Sequence, residues 1–204
     1  MRIAILISGR GSNMVALAEA IRAGRVPNAE VALVLSDRAE AAGLRLAAER
    51  DLKTVAVERR GRARAEHEQE IVEALREHEV ELICLAGFMR LLSPAFVAAY
   101  RGRILNIHPS LLPAFPGLDA QKQAVEYGVK WSGCTVHFVD DTLDGGPIIL
   151  QRIVPVQDTD TPETLAERIL TEEHLVYPEA LAIVVNRLYE AEGRRIIHSK
   201  TLVQ

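Results

Sequence analysis

The sequence predicts an α/β fold, a Rossmann-like, doubly wound and mostly parallel sheet with a C-terminal hairpin-like addition and a long C-terminal helix. Short continuous apolar runs such as Ile3–Ile7 recur along the first half of the chain. Such runs are typical of parallel strands that are covered on both faces. Helix-period segments alternate with them, as expected for βαβ units. The chain has 204 residues, a length that suits one α/β domain.

Strands and helices alternate from the N-terminus to residue 107. The first strand, Ile3–Ile7, is followed by a helix at 13–23, which Gly24 ends. Ser93 and Pro94 form an N-cap followed by proline at the first helical position. The remaining predicted elements are strands at 31–35, 54–57, 82–86 and 103–107, helices at 39–49 and 63–78, and a short helix from Ser93-Pro94 to Tyr100.

The chain changes character after residue 107. The predicted elements are a proline-rich loop at 108–117, a helix near 120–127, strands at 135–139 and 148–156 joined by a turn at 140–147, and a helix of about 162–190. We expect Pro178 to kink or interrupt the last helix. No repeat, low-complexity tract or linker separates these segments, so the sequence predicts one domain over 1–204.

Composition excludes several classes of protein. The net charge is −4 and the pI is about 5.9, whereas a nucleic-acid binder shows a basic face. No apolar run approaches the roughly 20 residues of a membrane span, and the run at 3–7 is shorter than the roughly 7–15 residues of a signal peptide. Cys84 and Cys134 lack metal or redox spacing. We therefore expect a cytoplasmic protein with reduced, buried thiols that binds neither nucleic acid nor membrane.

The first candidate site is Gly9–Asn13, between the first strand and the first helix. Backbone N–H groups and the helix dipole bind anions at such a position, and Ser12 and Asn13 add side-chain donors. The dinucleotide fingerprint GxGxxG needs glycine where Met14 stands, so a single phosphate on a small substrate is favoured. The alternative is a tight turn in which Ser12 or Asn13 caps the helix.

The second candidate site lies at the carboxyl end of the strand 103–107. Asn106 and His108 are two residues apart, and strand side chains alternate, so both point to one face. Ligands of open α/β sheets bind outside the carboxyl ends of the strands. The prolines that follow stiffen the loop by fixing φ, which suits a preorganised site. The alternative is a structural or solvated histidine.

Acidic residues supply weaker candidates. The acid- and glycine-rich segment 140–146 predicts a turn, from which Asp144 could face His108 and favour imidazolium. His67, Glu68 and the other charged residues of the helix at 63–78 are interpreted as a solvated face. Glu173 and His174 lie in the last helix, where a local structural role is the default. No pair of side chains has metal-ligand spacing, and no GxSxG elbow indicates covalent catalysis.

Several longer motifs carry a resemblance to a known family. They are ISGRGSN at 7–13, LAGFMRLLSP at 85–94, LNIHPSLLPAFPG at 105–117, GCTVHFVDDTLDGGPII at 133–149 and EEHLVYP at 172–178. With them the chain resembles, over essentially its whole length, the phosphoribosylglycinamide formyltransferases, folate-dependent enzymes of de novo purine synthesis. The resemblance implies one formyltransferase domain, with a phosphate-binding half of about 1–100 and a catalytic and folate-binding half of about 101–204.

The resemblance also implies roles for individual residues in formyl transfer from 10-formyltetrahydrofolate to the amine of glycinamide ribonucleotide. The implied catalytic residues are Asn106, His108 and Asp144. The implied ribonucleotide-binding residues are Gly11, Ser12 and Asn13 at the phosphate and Glu173 at the ribose. The implied folate-binding residues are Arg64, Met89, Arg90, Leu91, Leu92, Asn106, Asp140 and Asp141. Asp119 departs from some members, which carry histidine there, and this puts a minor contribution of that position in doubt.

Other functions remain as alternatives. Within the superfamily they are methionyl-tRNA formyltransferase, which normally carries a C-terminal tRNA-binding domain, and formyltetrahydrofolate deformylase, which normally carries an N-terminal regulatory domain. We expect 204 residues to leave room for neither appendage. A non-catalytic nucleotide-binding module would leave Asn106, His108 and Asp144 without a role. We expect a monomer or homodimer that binds only small molecules and needs no metal.

Overall fold

The computed structural model describes residues 1–199 and contains two compact units, one from Met1 to Leu105 and one from Asn106 onwards. The elements of the first unit are β1 (Arg2–Ile7), α1 (Ser12–Arg22), β2 (Glu30–Ser36), α2 (Ala42–Ala48), β3 (Thr54–Ala56), α3 (Arg64–Glu77), β4 (Leu82–Leu85) and α4 (Pro94–Ala99). β5 (Ile104–His108) runs from the end of the first unit into the second.

A parallel sheet with β1 in its interior organises the first unit. β1 pairs with β2 on one side and β4 on the other, so that Ile5 lies opposite both Val34 and Cys84, and β2 pairs with β3. The whole run Ile3–Ile7 is fully buried. A strand with neighbours on both edges and cover on both faces needs apolar side chains throughout, which explains the continuous run.

The helix ends of the first unit follow their local signals. α1 ends before Gly24, whose φ of 74° is left-handed, and the N–H of Arg25 reaches back to the carbonyl of Ala20 at 3.0 Å. Ser93 caps α4 by accepting the N–H of Phe96 at 3.2 Å. α2 is shorter than the helix predicted at 39–49, because it starts only at Ala42.

The second unit combines antiparallel and parallel strand pairs. Its elements after β5 are α5 (Ala120–Tyr127), β6 (Trp131–Phe138), β7 (Ile148–Pro155), α6 (Pro162–Val185), β8 (Tyr189–Glu192) and β9 (Arg195–His198). β6 and β7 are antiparallel, as the predicted hairpin-like pair requires, with Val136 opposite Leu150. β9 pairs in parallel with β7 and antiparallel with β8.

The prediction of the last helix is wrong at its C-terminal end. α6 continues through Pro178 without interruption but ends at Val185, not near residue 190. Arg187 then adopts a left-handed φ of 51°, and β8 and β9 follow as a hairpin. The Gly193 turn, with φ of 60°, was the overlooked signal, because glycine permits the reversal that joins two short strands.

The fold class predicted from the sequence is confirmed. The described residues form a mixed, mostly parallel α/β architecture with a long α6 and a C-terminal hairpin, β8–β9. Within the described part of the chain, no helix is both long enough and apolar enough to cross a membrane.

Candidate active site

The β1–α1 loop presents the N-terminus of α1 through glycine. The cap residue is Gly11, in a left-handed conformation with φ of 79°, so the alternative in which Ser12 or Asn13 caps the helix is wrong. Both side chains lie in the first turn of α1, and Asn13 is buried. Free N–H groups at the start of a helix are donors for an anion, and the helix dipole adds to their attraction.

The loop is held by close contact with α2. A Cβ placed on Gly11 would lie 2.6 Å from the Cα of Gly43, and the N–H of Gly43 donates to the carbonyl of Gly9 at 3.0 Å. Met14 is fully buried beneath the loop. The close backbone packing that the dinucleotide fingerprint obtains from its last glycine is therefore made here by Gly11 against Gly43.

The segment Met89–Leu92 forms the exposed part of the connection from β4 to α4. Met89 and Leu91 are 66% and 70% exposed, while the guanidinium of Arg90 pairs with the buried carboxylate of Asp37 at 2.6 Å. Arg64 is the first residue of α3, and its Nε lies 3.3 Å from the Oε1 of Glu68. Two of the folate-binding candidates of the first unit, Arg64 and Arg90, thus pair with buried carboxylates.

At the carboxyl end of β5, His108 lies between two acceptors. Its Nε2 is 2.8 Å from the carbonyl oxygen of Phe115, and its Nδ1 is 3.5 Å from Oδ2 of Asp144. The same Oδ2 accepts the N–H of Gly117 at 2.8 Å. His108 is 5% exposed. The structure therefore places Asp144 beside His108, and two backbone groups of the proline-rich loop fix the pair.

His137 joins this cluster, and sequence reasoning missed it. Its Nε2 lies 3.3 Å from Nδ2 of Asn106 and 3.8 Å from Oδ1 of Asp144, while its Nδ1 lies 2.9 Å from the carbonyl of Phe138. Burial lowers the pKa of His137, because a buried imidazolium is poorly solvated. A neutral His137 donates from Nδ1 and accepts the amide N–H of Asn106 at Nε2.

The signal for His137 was present in the pattern of β6. Thr135 and His137 are polar residues two apart in the buried, mostly apolar strand β6, the same arrangement that singled out Asn106 and His108. The hydroxyl of Thr135 donates to the carbonyl of Ser110 at 2.7 Å and accepts the N–H of Leu112 at 3.1 Å. Thr135 therefore holds the proline-rich loop, and His137, on the same face of β6, belongs to the polar cluster.

The remaining candidates of the second unit have separate positions. Asp140 accepts the N–H of Thr142 at 2.8 Å and so closes the turn that leads to Asp144, whereas Asp141 is exposed. Glu173 is buried on α6, at 6% exposed. Asp119 is the N-cap of α5 with a left-handed φ of 57°, a conformation that aspartate tolerates better than most residues.

The structure also tests the predictions for two charged residues of α3 and for the two cysteines. The interpretation of His67 and Glu68 as solvated is wrong, because they are 3% and 7% exposed. Nε2 of His67 lies 2.7 Å from the carbonyl of Val57. Cys84 and Cys134 are buried thiols, as predicted, and burial raises the pKa of Cys134 to about 12. Among residues 1–199, no group of three His, Cys, Asp or Glu side chains could hold a metal ion.

Chemically, the cluster offers an amide donor, an imidazole and a nearly buried carboxylate, since the Asp144 side chain is 11% exposed. An amide and an imidazolium N–H stabilise an oxyanion, and the imidazole and carboxylate exchange protons. At the carboxyl end of a strand in an α/β fold, such a set of groups is suited to acid–base catalysis at an acyl-type carbon.

Comparison with known proteins identifies the family. The formyl transferase family model matches residues 1–181. Phosphoribosylglycinamide formyltransferase of Escherichia coli (strain K12) is 41% identical over 97% of this chain and 91% of that protein. Glycinamide ribonucleotide transformylase 1 from Symbiobacterium toebii has a crystal structure with a TM-score of 0.94 and 48% identity, over 97% of this chain and 93% of that chain. The chain therefore belongs to the formyl transferase family.

Two other similar proteins differ from this chain in length or have lower sequence identity. The trifunctional purine biosynthetic protein adenosine-3 of Drosophila pseudoobscura pseudoobscura is 48% identical over 91% of this chain, but the chain spans only 14% of that protein. A formyltetrahydrofolate deformylase from Pseudomonas putida KT2440 has a TM-score of 0.87 at 27% identity, over 97% of this chain and 69% of that chain. A hydrolase thus shares the fold, at lower identity than the transferases named above.

Proposed function

We propose that this protein transfers the formyl group of 10-formyltetrahydrofolate to the amine of glycinamide ribonucleotide in de novo purine biosynthesis. The products are formylglycinamide ribonucleotide and tetrahydrofolate. The observation that carries the proposal is the cluster of Asn106, His108 and Asp144 in a chain whose relatives are named for this transfer. These side chains supply what attack of an amine on a formyl carbon requires.

The reaction is a direct transfer through a tetrahedral intermediate. The amine lone pair forms a new C–N bond to the formyl carbon, and the carbonyl electrons move onto oxygen. The N–H groups of Asn106 and His108 stabilise that oxyanion. The bond from carbon to N10 of the folate then breaks, N10 keeps the electron pair, and it takes up a proton that the attacking amine loses. Asp144 carries that proton, directly or through water.

His137 prepares Asn106 for this role. The neutral ring accepts one N–H of the Asn106 amide, so the carboxamide keeps a fixed orientation with its second N–H available for substrate. A donor that is oriented before the reaction loses no reorganisation energy as the oxyanion forms.

Binding is assigned to separate groups of residues. The N–H groups at Gly11, Ser12 and Asn13 bind the ribonucleotide phosphate, for which the open N-terminus of α1 is suited. Glu173 binds the ribose. The folate residues are Arg64, Met89, Arg90, Leu91, Leu92, Asn106, Asp140 and Asp141. The chemistry needs no metal and no covalent enzyme intermediate, and we place the enzyme in the cytoplasm as a monomer or homodimer with small-molecule partners.

The test is tetrahydrofolate release from 10-formyltetrahydrofolate, measured with and without glycinamide ribonucleotide. We expect release only when the ribonucleotide is present, with one formylated ribonucleotide formed for each tetrahydrofolate. Equal release in its absence would identify a deformylase instead. No release under either condition would identify a binding protein without this activity.

A further inference from the structure

The connection from β4 to α4 is fixed at its start, although its tip is exposed. The N–H of Ser8, at the end of β1, donates to the carbonyl of Gly87 at 3.1 Å. The hydroxyl of Ser8 in turn accepts the N–H of Met89 at 2.8 Å. These two bonds to Ser8 hold the start of this segment in one place, while the side chains of Met89 and Leu91 are exposed. We call residues 87–93 the β4–α4 loop.

A buried carboxylate holds the middle of the β4–α4 loop. Asp37 follows β2, its side chain is 1% exposed, and its Oδ2 accepts Nε of Arg90 at 2.6 Å. A buried carboxylate is unfavourable unless it is paired and hydrogen-bonded. The pairing therefore restricts Arg90, and with it the loop backbone between Met89 and Leu91.

A second buried carboxylate, Glu68 of α3, holds the end of the loop. Its side chain is 9% exposed. Oε1 of Glu68 accepts the N–H of Ser93 at 2.7 Å, and Oε2 accepts the hydroxyl of Ser93. The Ser93 hydroxyl also accepts the N–H of Phe96, so Glu68 orients the cap at which the loop becomes α4.

The same carboxylate reaches Arg64. Nε of Arg64 lies 3.3 Å from Oε1 of Glu68, one helical turn away along α3. Arg64 is 45% exposed at the side chain, so its guanidinium can pair with Glu68 and still meet a ligand. One buried group thus touches both segments to which folate binding is assigned.

We infer that Glu68 is a positioning residue for the folate: it sets the places of the β4–α4 loop and of Arg64 relative to each other. This inference rests on the proposed function, because the folate assignment of both segments belongs to it. Glu68 touches neither substrate. It acts by keeping the loop and the guanidinium in the binding arrangement before the folate arrives, which removes an ordering cost from binding.

The contacts of Glu68 favour a carboxylate at this position. Glu68 receives three donors, two from Ser93 and one from Arg64, and a carboxylate has acceptor sites for all of them. Glu68→Gln keeps the size of the side chain but replaces one oxygen with an NH₂ donor and removes the charge. The NH₂ group can still donate to the Ser93 hydroxyl, but the hydrogen bonds lose their charge assistance and Arg64 loses its ion-pair partner.

The experiment compares Glu68→Gln with wild type and with Glu77→Gln, an exposed residue in the last turn of the same helix. KM for each substrate, kcat and the Kd of tetrahydrofolate are measured. For Glu68→Gln we expect KM for 10-formyltetrahydrofolate and the Kd to rise about 10- to 100-fold, the scale of one lost charge-assisted hydrogen bond. KM for the ribonucleotide should stay within about twofold, and Glu77→Gln should match wild type on every measure.

Ser93→Ala serves as the second variant if Glu68→Gln does not fold. It removes one donor to Glu68 and leaves the carboxylate, and it is expected to weaken folate binding in the same selective way. Lower thermal stability with unchanged KM and Kd for folate would overturn the inference, since a purely structural role has that effect. An equal rise of both KM values would also overturn it. Absence of transfer in the wild-type enzyme would instead contradict the proposed function.

Discussion

Both ring nitrogens of His108 face oxygen acceptors, the carbonyl of Phe115 and the carboxylate of Asp144. An imidazolium satisfies two acceptors with two N–H donors, whereas a neutral ring satisfies only one. A substrate oxygen that enters between His108 and Asp144 would take the place of one acceptor and receive the same N–H. In the proposed reaction, this geometry would prepare the ring for a developing negative charge.

His108→Ala removes this donor and is expected to lower kcat by about 10²- to 10⁴-fold, the usual scale for loss of a general acid–base group. The matched control is His78→Ala, at the end of α3, where Nδ1 of the ring lies 2.9 Å from the carbonyl of Ala74. It should retain wild-type kcat. Steady-state kinetics and circular dichroism of both variants test this, and near-normal turnover by His108→Ala would refute the assigned role.

The buried ring of His137 makes the free energy of unfolding depend on pH. Burial lowers its pKa below the ordinary value of 6.5, and this outweighs the opposite effect of Asp144. Above pH 6.5 the ring is neutral in both folded and unfolded chains, so it adds no pH dependence. As the pH falls below that value, the unfolded chain takes up a proton that the folded chain resists, so the free energy of unfolding falls.

His137→Gln removes the titrating ring and with it this dependence of stability on pH. The variant should lose less stability than wild type between pH 6.5 and 5, by at most about 1.4 kcal/mol per pH unit for one proton. Urea denaturation at several pH values gives the two slopes. If the difference in free energy of unfolding between variant and wild type is the same at each pH, the ring does not stay neutral in the folded protein.

The residues that sequence reasoning missed share a physical cause. His137 and Glu68 are polar groups whose partners lie far along the chain, Asn106 for the former and Ser93 for the latter. Periodicity places a residue on a face of its own element, but it does not show which element covers that face. Asn106 and His108 could be predicted as site residues because a strand end and a stiff loop lie next to them in the sequence.

Among the elements, the β1–α1 loop depends most on one residue. Gly11 combines a left-handed φ with backbone contact against Gly43, while nothing lies within 4 Å of a Cβ placed on Gly9. A non-glycine side chain at Gly11 would be strained and would push α2 away. The position that opens the helix for an anion therefore tolerates no side chain.

Gly11→Ala is expected to lower the free energy of unfolding by about 1–3 kcal/mol, the range for a strained backbone position, and to raise KM for the ribonucleotide. Gly9→Ala, two residues away, should stay within about 0.5 kcal/mol of wild type, as is usual away from special positions. Chemical denaturation and kinetics measure both effects. A Gly11→Ala enzyme with unchanged stability and KM would contradict the packing argument.

Most elements could be predicted from the sequence because their signals are local. The apolar run of β1, the Ser93-Pro94 start of α4 and the helix stop at Gly24 all lie within a few residues of the element they define. β8 and β9 could not, because short exposed strands form only through pairing with each other and with β7. The polar residues of that segment resemble the end of a helix equally well.

At the scale of the whole molecule, the modest net charge of −4 fits the proposed substrates. A phosphate on a small molecule needs one local set of N–H donors, which the start of α1 supplies, and no basic surface is required. The family match over residues 1–181 covers β1 through most of α6. Every residue assigned to catalysis or binding lies within that span.

The most direct test of formyl transfer follows the carbon itself. The enzyme is incubated with 10-formyltetrahydrofolate labelled with ¹³C in the formyl group and with glycinamide ribonucleotide, and the products are observed by NMR. We expect the label to appear in the formamide of formylglycinamide ribonucleotide, in equal amount to the tetrahydrofolate released. Label recovered as free formate would contradict it.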